Sequence, residues 1–489
     1  MTLICRRTQE VLHSGGRAVL RGYISNTAAT PYPPARKTTD EPVIPEPAVF
    51  EQDDTTNSAP AARLPTVAEC AIHLELLETL FVLRERILRS EEIDKTMGIN
   101  RRRETKTGHN GDTKTFKDTT FESRRQDKWT RFIEFAVVRF LDWRTRLASQ
   151  SQNGDKFTLP PLDIIMVWHT FLLNPLLFNK HCRTEKLYQL PLPWQIIHES
   201  INNRDWSFAP KAKADSDLIS LFDLFSTWDS YLSGQPDNLK SLLRISSVGV
   251  DMFKTRTTKT DTTINTGTSK SRSIFAALSA IINDLPATNP IRIHAEMFIS
   301  LDANLATELK AAVIRQTSFI DKMHSHLWIR SPSIQGTLTR CISRYSQFLL
   351  LMKRSPGKLM VPTLDIDLAW HTHQCAAWGY VQETKRRVGR FVNHDDSIGK
   401  GQLDTGSGET RRLWRLRFGG EYQICGCWDC EMLVSEIEKE LNSRSGGDGG
   451  AETGGVDMQA VAQRVDSQVR FYRAVEAARR RGGALPMKQ

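Results

Sequence analysis

One motif occurs twice in this chain and sets the architecture available to it. Pro161-Leu162-Asp163-Ile164-Ile165-Met166-Val167-Trp168-His169-Thr170 returns as Thr363-Leu364-Asp365-Ile366-Asp367-Leu368-Ala369-Trp370-His371-Thr372. Each copy follows a proline, Pro160 or Pro362, and a stretch of helical periodicity carrying arginine and aromatic residues. Arg131, Phe132, Phe135, Phe140 and Trp143 precede the first copy; Arg340, Cys341, Tyr345 and Phe348 precede the second. A separation of roughly two hundred residues is too long for a solenoid repeat and points to a duplicated module.

The Leu-Asp-x-x-x-x-Trp-His core, followed once by Leu173-Asn174-Pro175 and once by His373-Gln374, resembles the glycine-rich domain-containing protein-like family. The stretches Arg315 to Phe319, Trp328 to Pro332, Asn393 to Asp396 and Cys425 to Glu431 look like its fungal branch. The resemblance runs from about Pro65 to Glu440, and several motifs occur in the same order. Two departures stand out. Cys375-Ala376-Ala377 replaces the Leu-Ser-Pro usual after the second motif, and the glycine-rich and RNA-binding tails of plant relatives are missing. The resemblance implies a fold class and carries no activity with it.

Periodicity divides the chain further. Residues 1–64, rich in Pro, Thr and Ala, are expected to be disordered. Thr66 and Glu69 have capping-box spacing, and Val67, Cys70, Leu74, Leu77, Phe81 and Leu88 mark one apolar helical face. Residues 98–127 read as a polar, basic, mobile insertion. Helical signals recur at Trp129, from an N-cap at Asp163, and at 216–233, 274–282, 305–323 and 337–353. They return at 458–481, beyond a short glycine linker, and 254–272 reads as a surface loop. Few runs alternate with period two. The expected fold is mainly α: pseudo-duplicated helical modules packed into one body, with a disordered N-terminal region and basic loop insertions. The expected domains are 1–64, a first Trp-His module at 65–235, a second at 236–440 ending in the cysteine segment, and a linker with a basic helix at 441–489.

The net charge of +10 permits attraction to nucleic acid or an anionic surface. That excess is scattered over polar segments, and the basic stretches Arg101–Arg103 and Arg479–Arg481 lack interleaved aromatics for base stacking. Nucleic acid is therefore not the favoured partner. No apolar run approaches the roughly 20 residues of a transmembrane helix. Eight cysteines without regular spacing do not form a secreted disulfide pattern. The expected location is cytoplasmic, with the Arg-rich, acid-poor N-terminus giving a mitochondrial alternative.

Several constellations could carry chemistry. Ile164, Trp168 and Leu172 share a helical face, so Trp168 is expected in the core, with His169 beside that face and able to bond a carbonyl or carboxylate. The repeat places Trp370 and His371 equivalently. Asp163, Trp168, His169, Asp365, Trp370 and His371 are the candidate binding residues. They are set against a structural role in which paired His–Trp units fix helix contacts. His371 and His373 lie two apart on a helix, so they point about 200° away from each other and are poor joint ligands. Asp365 and Asp367 resemble a paired-carboxylate set but sit where a helix start recruits acids through its dipole. His394-Asp395-Asp396 contains His-x-Asp, the opening half of the facial triad of non-haem iron oxygenases, yet no histidine follows it and a β-rich pattern is lacking.

Cys425, Cys427 and Cys430 form the best candidate metal site, for zinc, with His394 the first choice of fourth ligand and Cys375 the second. Packed reduced thiols and a redox pair Cys427/Cys430 are the alternatives. The chain lacks phosphate-loop, dinucleotide, nucleophile-elbow and His-Glu-x-x-His motifs. The leading functional expectation is accordingly a non-enzymatic interaction or scaffold protein with an unknown protein partner. The alternative is a metal-binding protein or metal-dependent enzyme using His371, His373, His394, Asp395 and the cysteines.

Overall fold

A computed structural model describes residues 42–51, 62–96, 99, 101, 104–107, 113–116, 118–149, 158–210, 303–445 and 457–487. The expected helices at 216–233 and 274–282, the loop at 254–272 and most of the glycine linker lie outside the described residues, as does the first part of the N-terminal region.

The fold is mainly α. In chain order the helices are α1 (Val67–Arg89), α2 (Glu91–Thr96), α3 (Phe121–Ser149), α4 (Leu162–Leu172), α5 (Pro175–Cys182), α6 (Lys186–Gln189) and α7 (Trp194–Ser200). After the undescribed stretch come α8 (Ala303–His326), α9 (Ile334–Arg354), α10 (Leu364–Gln374), α11 (Ala377–Val388), α12 (Lys400–Phe418), α13 (Trp428–Ser445) and α14 (Met458–Arg481). Strand is confined, among the described residues, to two antiparallel hairpins. One pairs Glu104–Thr107 with Thr113–Phe116 inside the insertion expected to be mobile, and the other pairs Ile201–Asn202 with Ser207–Phe208.

Helix α1 starts as its sequence dictates. The Thr66 hydroxyl accepts from the Glu69 backbone N–H at 3.2 Å while the Glu69 carboxylate accepts from the Thr66 N–H at 2.8 Å. Its surroundings are richer than one apolar face suggested. Ile72, His73, Glu75 and Leu76 are buried together with Cys70, Leu74 and Leu77, whereas Phe81 and Leu88 are only partly so. A helix buried nearly all round belongs at the centre of a protein. Helix α1 packs against α3, α7, α8, α9 and α10. Its buried acids are matched: Glu75 lies 2.6 Å from His198 of α7, and Glu78 lies 2.7 Å from His324 of α8.

Both Trp-His segments form eleven-residue helices, α4 and α10, each followed three residues later by a further helix. Each is clamped to the long helix before it by a buried ion pair. Arg139 of α3 meets Asp163 at 2.8 Å, and Arg344 of α9 meets Asp365 at 2.5 Å. Asp163 was expected to cap α4. Pro161 is instead the N-cap residue, and Asp163 lies inside the first turn, where Arg139 holds its carboxylate. The contacts also align the two helix pairs differently from the sequence reading. Trp143 packs on Trp168 as Phe348 packs on Trp370, so Arg139 corresponds to Arg344, about one helical turn from the Arg131–Arg340 pairing read from the sequence.

Part of the Pro-rich N-terminal region packs. Val49 and Phe50 are buried, and Phe50 stacks on His198 with ring centroids 4.1 Å apart. Helix α14 lies along α13 and buries Val461, Val465 and Val469. No single helix among the described residues is long and apolar enough to cross a membrane. The pair α4 and α5 passes a length-and-composition test together, but it is bent by 105°.

Removing one partner of a buried ion pair strands the other charge and typically costs about 3–5 kcal/mol. Arg344→Ala should therefore lower the unfolding free energy by about 3 kcal/mol in a urea titration. A change within error would mean that Asp365 finds another partner.

Candidate metal centre

The six nominated binding residues separate by role. Asp163 and Asp365 are held by arginines, as above. Trp168 is fully buried against Trp143. Trp370 is nearly so, and its indole N–H donates to the Tyr380 hydroxyl at 2.9 Å. These four residues serve packing and ion pairing. The two histidines differ from them, and from each other.

His169 faces α1, not the carbonyl or carboxylate expected for it. Its Nε2 lies 2.9 Å from Nε2 of His73, whose Nδ1 lies 2.8 Å from the Thr372 hydroxyl. Thr372 donates its own proton to the Leu368 carbonyl, so it accepts from His73 Nδ1–H. His73 Nε2 is then a bare lone pair, and His169 must donate to it through Nε2–H. The proton inventory closes with both rings neutral. Burial pushes His169 down to about 3, and burial together with His169 and His371 pushes His73 well below the usual imidazole value.

A depressed histidine contributes stability that is complete above the unfolded value of 6.5 and is lost as pH falls toward the folded value. Stability should therefore drop between pH 6.5 and 4, by up to about 1.4 kcal/mol per pH unit for each such ring. In His169→Gln the urea midpoint should fall less steeply over that range. An unchanged slope would show that this ring does not set the acid sensitivity.

His371 faces away from α1 toward the loop after α11. Its Nε2 is 3.1 Å from Nε2 of His394 and 3.3 Å from Oδ1 of Asp367, one turn back on the same helix. His394 Nε2 is 3.5 Å from the same Oδ1. A triangle with these sides has a centre about 1.9 Å from each corner, so a cation slightly out of its plane lies at the usual ~2.0–2.1 Å from nitrogen and oxygen donors. Asp367 Oδ1 is buried yet accepts no hydrogen bond of good geometry. His394 Nδ1 sits 3.2 Å from the Leu173 carbonyl, which can only accept. The Nδ1–H therefore points there and leaves Nε2 as the donor atom, the arrangement typical of a metal-bound histidine. His371 Nδ1 has no comparable partner.

The charges suit the same reading. Burial would raise the Asp367 carboxyl, but His371 and His394 outweigh it and hold the group below its usual range. Burial lowers His371 to about 4 despite Asp367, leaving its ring neutral. His394 is opposed by burial but raised by Asp367 and Asp396. An ionised carboxylate and a neutral imidazole are the forms that ligate, and a cation would take the place of the His394 proton. The Asp367 side chain keeps 21% exposure although its Oδ1 is itself buried, so the site lies at the edge of the core. Three protein ligands leave further coordination positions free for water or a small ligand.

Asp367 was set aside in the sequence as a helix-start acid. The signal that would have raised it is its i, i+4 spacing to His371, which puts both side chains on one helical face. The His-x-Asp of 394–396 does not act as a unit, because Asp396 pairs with Arg315 at 2.9 Å. His373 points elsewhere, with Nδ1 2.9 Å from the Tyr345 hydroxyl. In the first copy Ile165 stands where the second has Asp367, so that copy lacks the carboxylate.

The sulfurs of Cys425, Cys427 and Cys430 do converge, all within 4.8 Å of one another. His394, the expected fourth ligand, stands with Asp367 and His371 instead. Cys375, the second choice, is buried at the end of α10 and directs its thiol to the His371 carbonyl at 3.3 Å.

A helical protein with a histidine–carboxylate cluster between its Trp-His segments is the class that these features define. The model of the glycine-rich domain-containing protein-like family matches residues 284–383, the stretch that holds α8, α9, α10, Asp367 and His371. The chain is similar to Glycine-rich domain-containing protein 1 of Arabidopsis thaliana, 36% identical over 128 residues, or 24% of this chain and 15% of that protein. It is 41% identical over 153 residues to Glycine-rich domain-containing protein 2 of the same plant, or 29% of this chain and 19% of that protein. These matches carry a resemblance to the glycine-rich domain-containing protein-like family, and they span less than a fifth of either plant protein. No solved structure matches.

Proposed function

We propose that this chain is a metal-binding protein that holds one divalent first-row transition metal between Asp367, His371 and His394. The observation that carries this reading is the convergence of Asp367 Oδ1, His371 Nε2 and His394 Nε2, at mutual distances of 3.1, 3.3 and 3.5 Å. Two imidazoles and one carboxylate suit iron, manganese or zinc better than calcium or magnesium, which prefer all-oxygen sites. The two Trp-His segments are then diverged copies. The first keeps its histidine for the contact with His73, and the second adds Asp367 and His394 to ligate.

The scaffold reading draws partly on basic appendages. One of these, α14, directs arginines at acids of its own chain. Arg464 reaches Glu436 and Glu440, Arg473 reaches Asp429, and Arg480 reaches Glu476. That leaves less of its charge for a partner, so the metal reading is the better supported.

The test is a titration of the purified full chain with Fe²⁺, Mn²⁺ and Zn²⁺, followed by calorimetry and thermal unfolding. A metal that binds only the folded state at a hundredfold its Kd should add about 2.7 kcal/mol of stability. With Fe²⁺ or Mn²⁺, Asp367→Asn should abolish this gain, while Cys427→Ser should retain it. Absence of any saturable stabilisation that depends on Asp367 would leave the cluster as a proton-sharing hydrogen-bond network and sink the proposal.

A further inference from the structure

A second convergence of donor atoms lies at the other end of α8. The helix ends at His326, and Leu327 takes a left-handed conformation with φ 50 before the short 3-10 turn Trp328–Arg330. A buried leucine with positive φ is unusual, since its side chain crowds the backbone there. The reversal turns the end of α8 toward the segment Cys425–Cys430. That segment is docked tightly. The Trp328 indole donates to the Gly426 carbonyl at 2.6 Å, and the Trp428 indole donates to the His326 carbonyl at 2.8 Å. A Cβ on residue 426 would lie 2.8 Å from the Trp328 ring, so only glycine lets the chain approach this closely.

Docking of this kind brings an imidazole to three thiols. The His326 ring lies close to the Gly426 carbonyl and Cys425, just outside the set of three sulfurs that converge within 4.8 Å. Cys427 immediately precedes α13 and Cys430 lies in its first turn, where backbone N–H groups and the helix dipole favour thiolates. Cys425 arrives from the extended segment on the other side of Gly426. Zinc bonds of about 2.3 Å in a tetrahedron separate sulfurs by about 3.8 Å, within the 4.8 Å spread of the three sulfurs.

We infer that Cys425, Cys427 and Cys430 hold a structural Zn²⁺ that fastens α13 to the end of α8, with the His326 ring turning in as the fourth ligand when the ion binds. This site is independent of the Asp367 cluster. Binding zinc converts the three thiols to thiolates and releases their protons to solvent, and no electrons move. With all four positions filled by protein the ion has no open coordination site, so its role is to hold the C-terminal helices, not to catalyse.

Cobalt substitution in the reduced full chain reads the site directly. Wild type should take up Co²⁺ with intense thiolate-to-cobalt charge-transfer absorption, and Zn²⁺ should displace it at one equivalent. Cys427→Ser should lose most of that absorption, whereas Asp367→Asn should keep it. His326→Ala should weaken zinc by more than about tenfold, since even loss of a group supporting a ligand costs about 10–100-fold. Wild-type protein without charge-transfer absorption would overturn the inference, as would a Cys427–Cys430 disulfide that persists under mild reduction. Unchanged affinity and spectrum in His326→Ala would overturn the assignment of the fourth ligand.

Discussion

Burial of the helix Val67–Arg89 on nearly every side is the constraint that organises this protein. A helix so enclosed cannot leave its polar side chains to water, so each needs a partner inside the molecule. Glu75, Glu78 and His73 recruit His198, His324 and the Thr372–His169 pair, which come from four different helices. Those contacts orient α4, α7, α8 and α10 around one axis. The apolar neighbours Ile72, Leu76 and Leu80 supply the attraction, and the polar pairs fix the rotation about it.

Two neighbouring histidine pairs have opposite fates under this arrangement. His73 and His169 lie deep, with every donor proton accounted for, and there is no room for a charge. His371 is as buried as His169, but it and His394 share a partly exposed carboxylate, which favours positive charge there. The two helices differ at one position that bears on this, Ile165 in one and Asp367 in the other. The same Trp-His scaffold thus supports a neutral core pair and a charged cluster.

The helices were largely legible because their periodicity, the Thr66–Glu69 box and the punctuating prolines are local signals. Helix α8, helix α9 and the terminal helix lie close to where the sequence placed them. The three cysteines were legible as a candidate group from their spacing, though that spacing alone left packed thiols and a redox pair open. Long-range pairing was not. His73 is 96 residues from His169, His394 is 23 from His371, and Cys425 lies near His326 across about a hundred residues of chain. Nothing local in the sequence distinguishes His394 as a partner of Asp367 from His394 as a partner of the cysteines. The register of the repeat slipped by one turn for a related reason: arginines recur at helical spacing before both motifs, and only contact with Asp163 and Asp365 selects among them.

The orientation of His394 has a consequence for any attempt to divide the molecule. Its ring is steered by the carbonyl of Leu173, at the C-terminal end of α4. Nearby, the Leu192 N–H donates to the Cys375 carbonyl at 3.0 Å. All three donor side chains belong to the later segment, but the geometry of one is set by backbone from the earlier segment. A fragment beginning at α8 would carry all three proposed ligands, and if they bind a cation it would hold one poorly, because the His394 ring would be free to swing. Cation affinity would then act as a gauge of whether the two halves are seated on each other, and a disturbance in either half would register at a site that only one of them supplies.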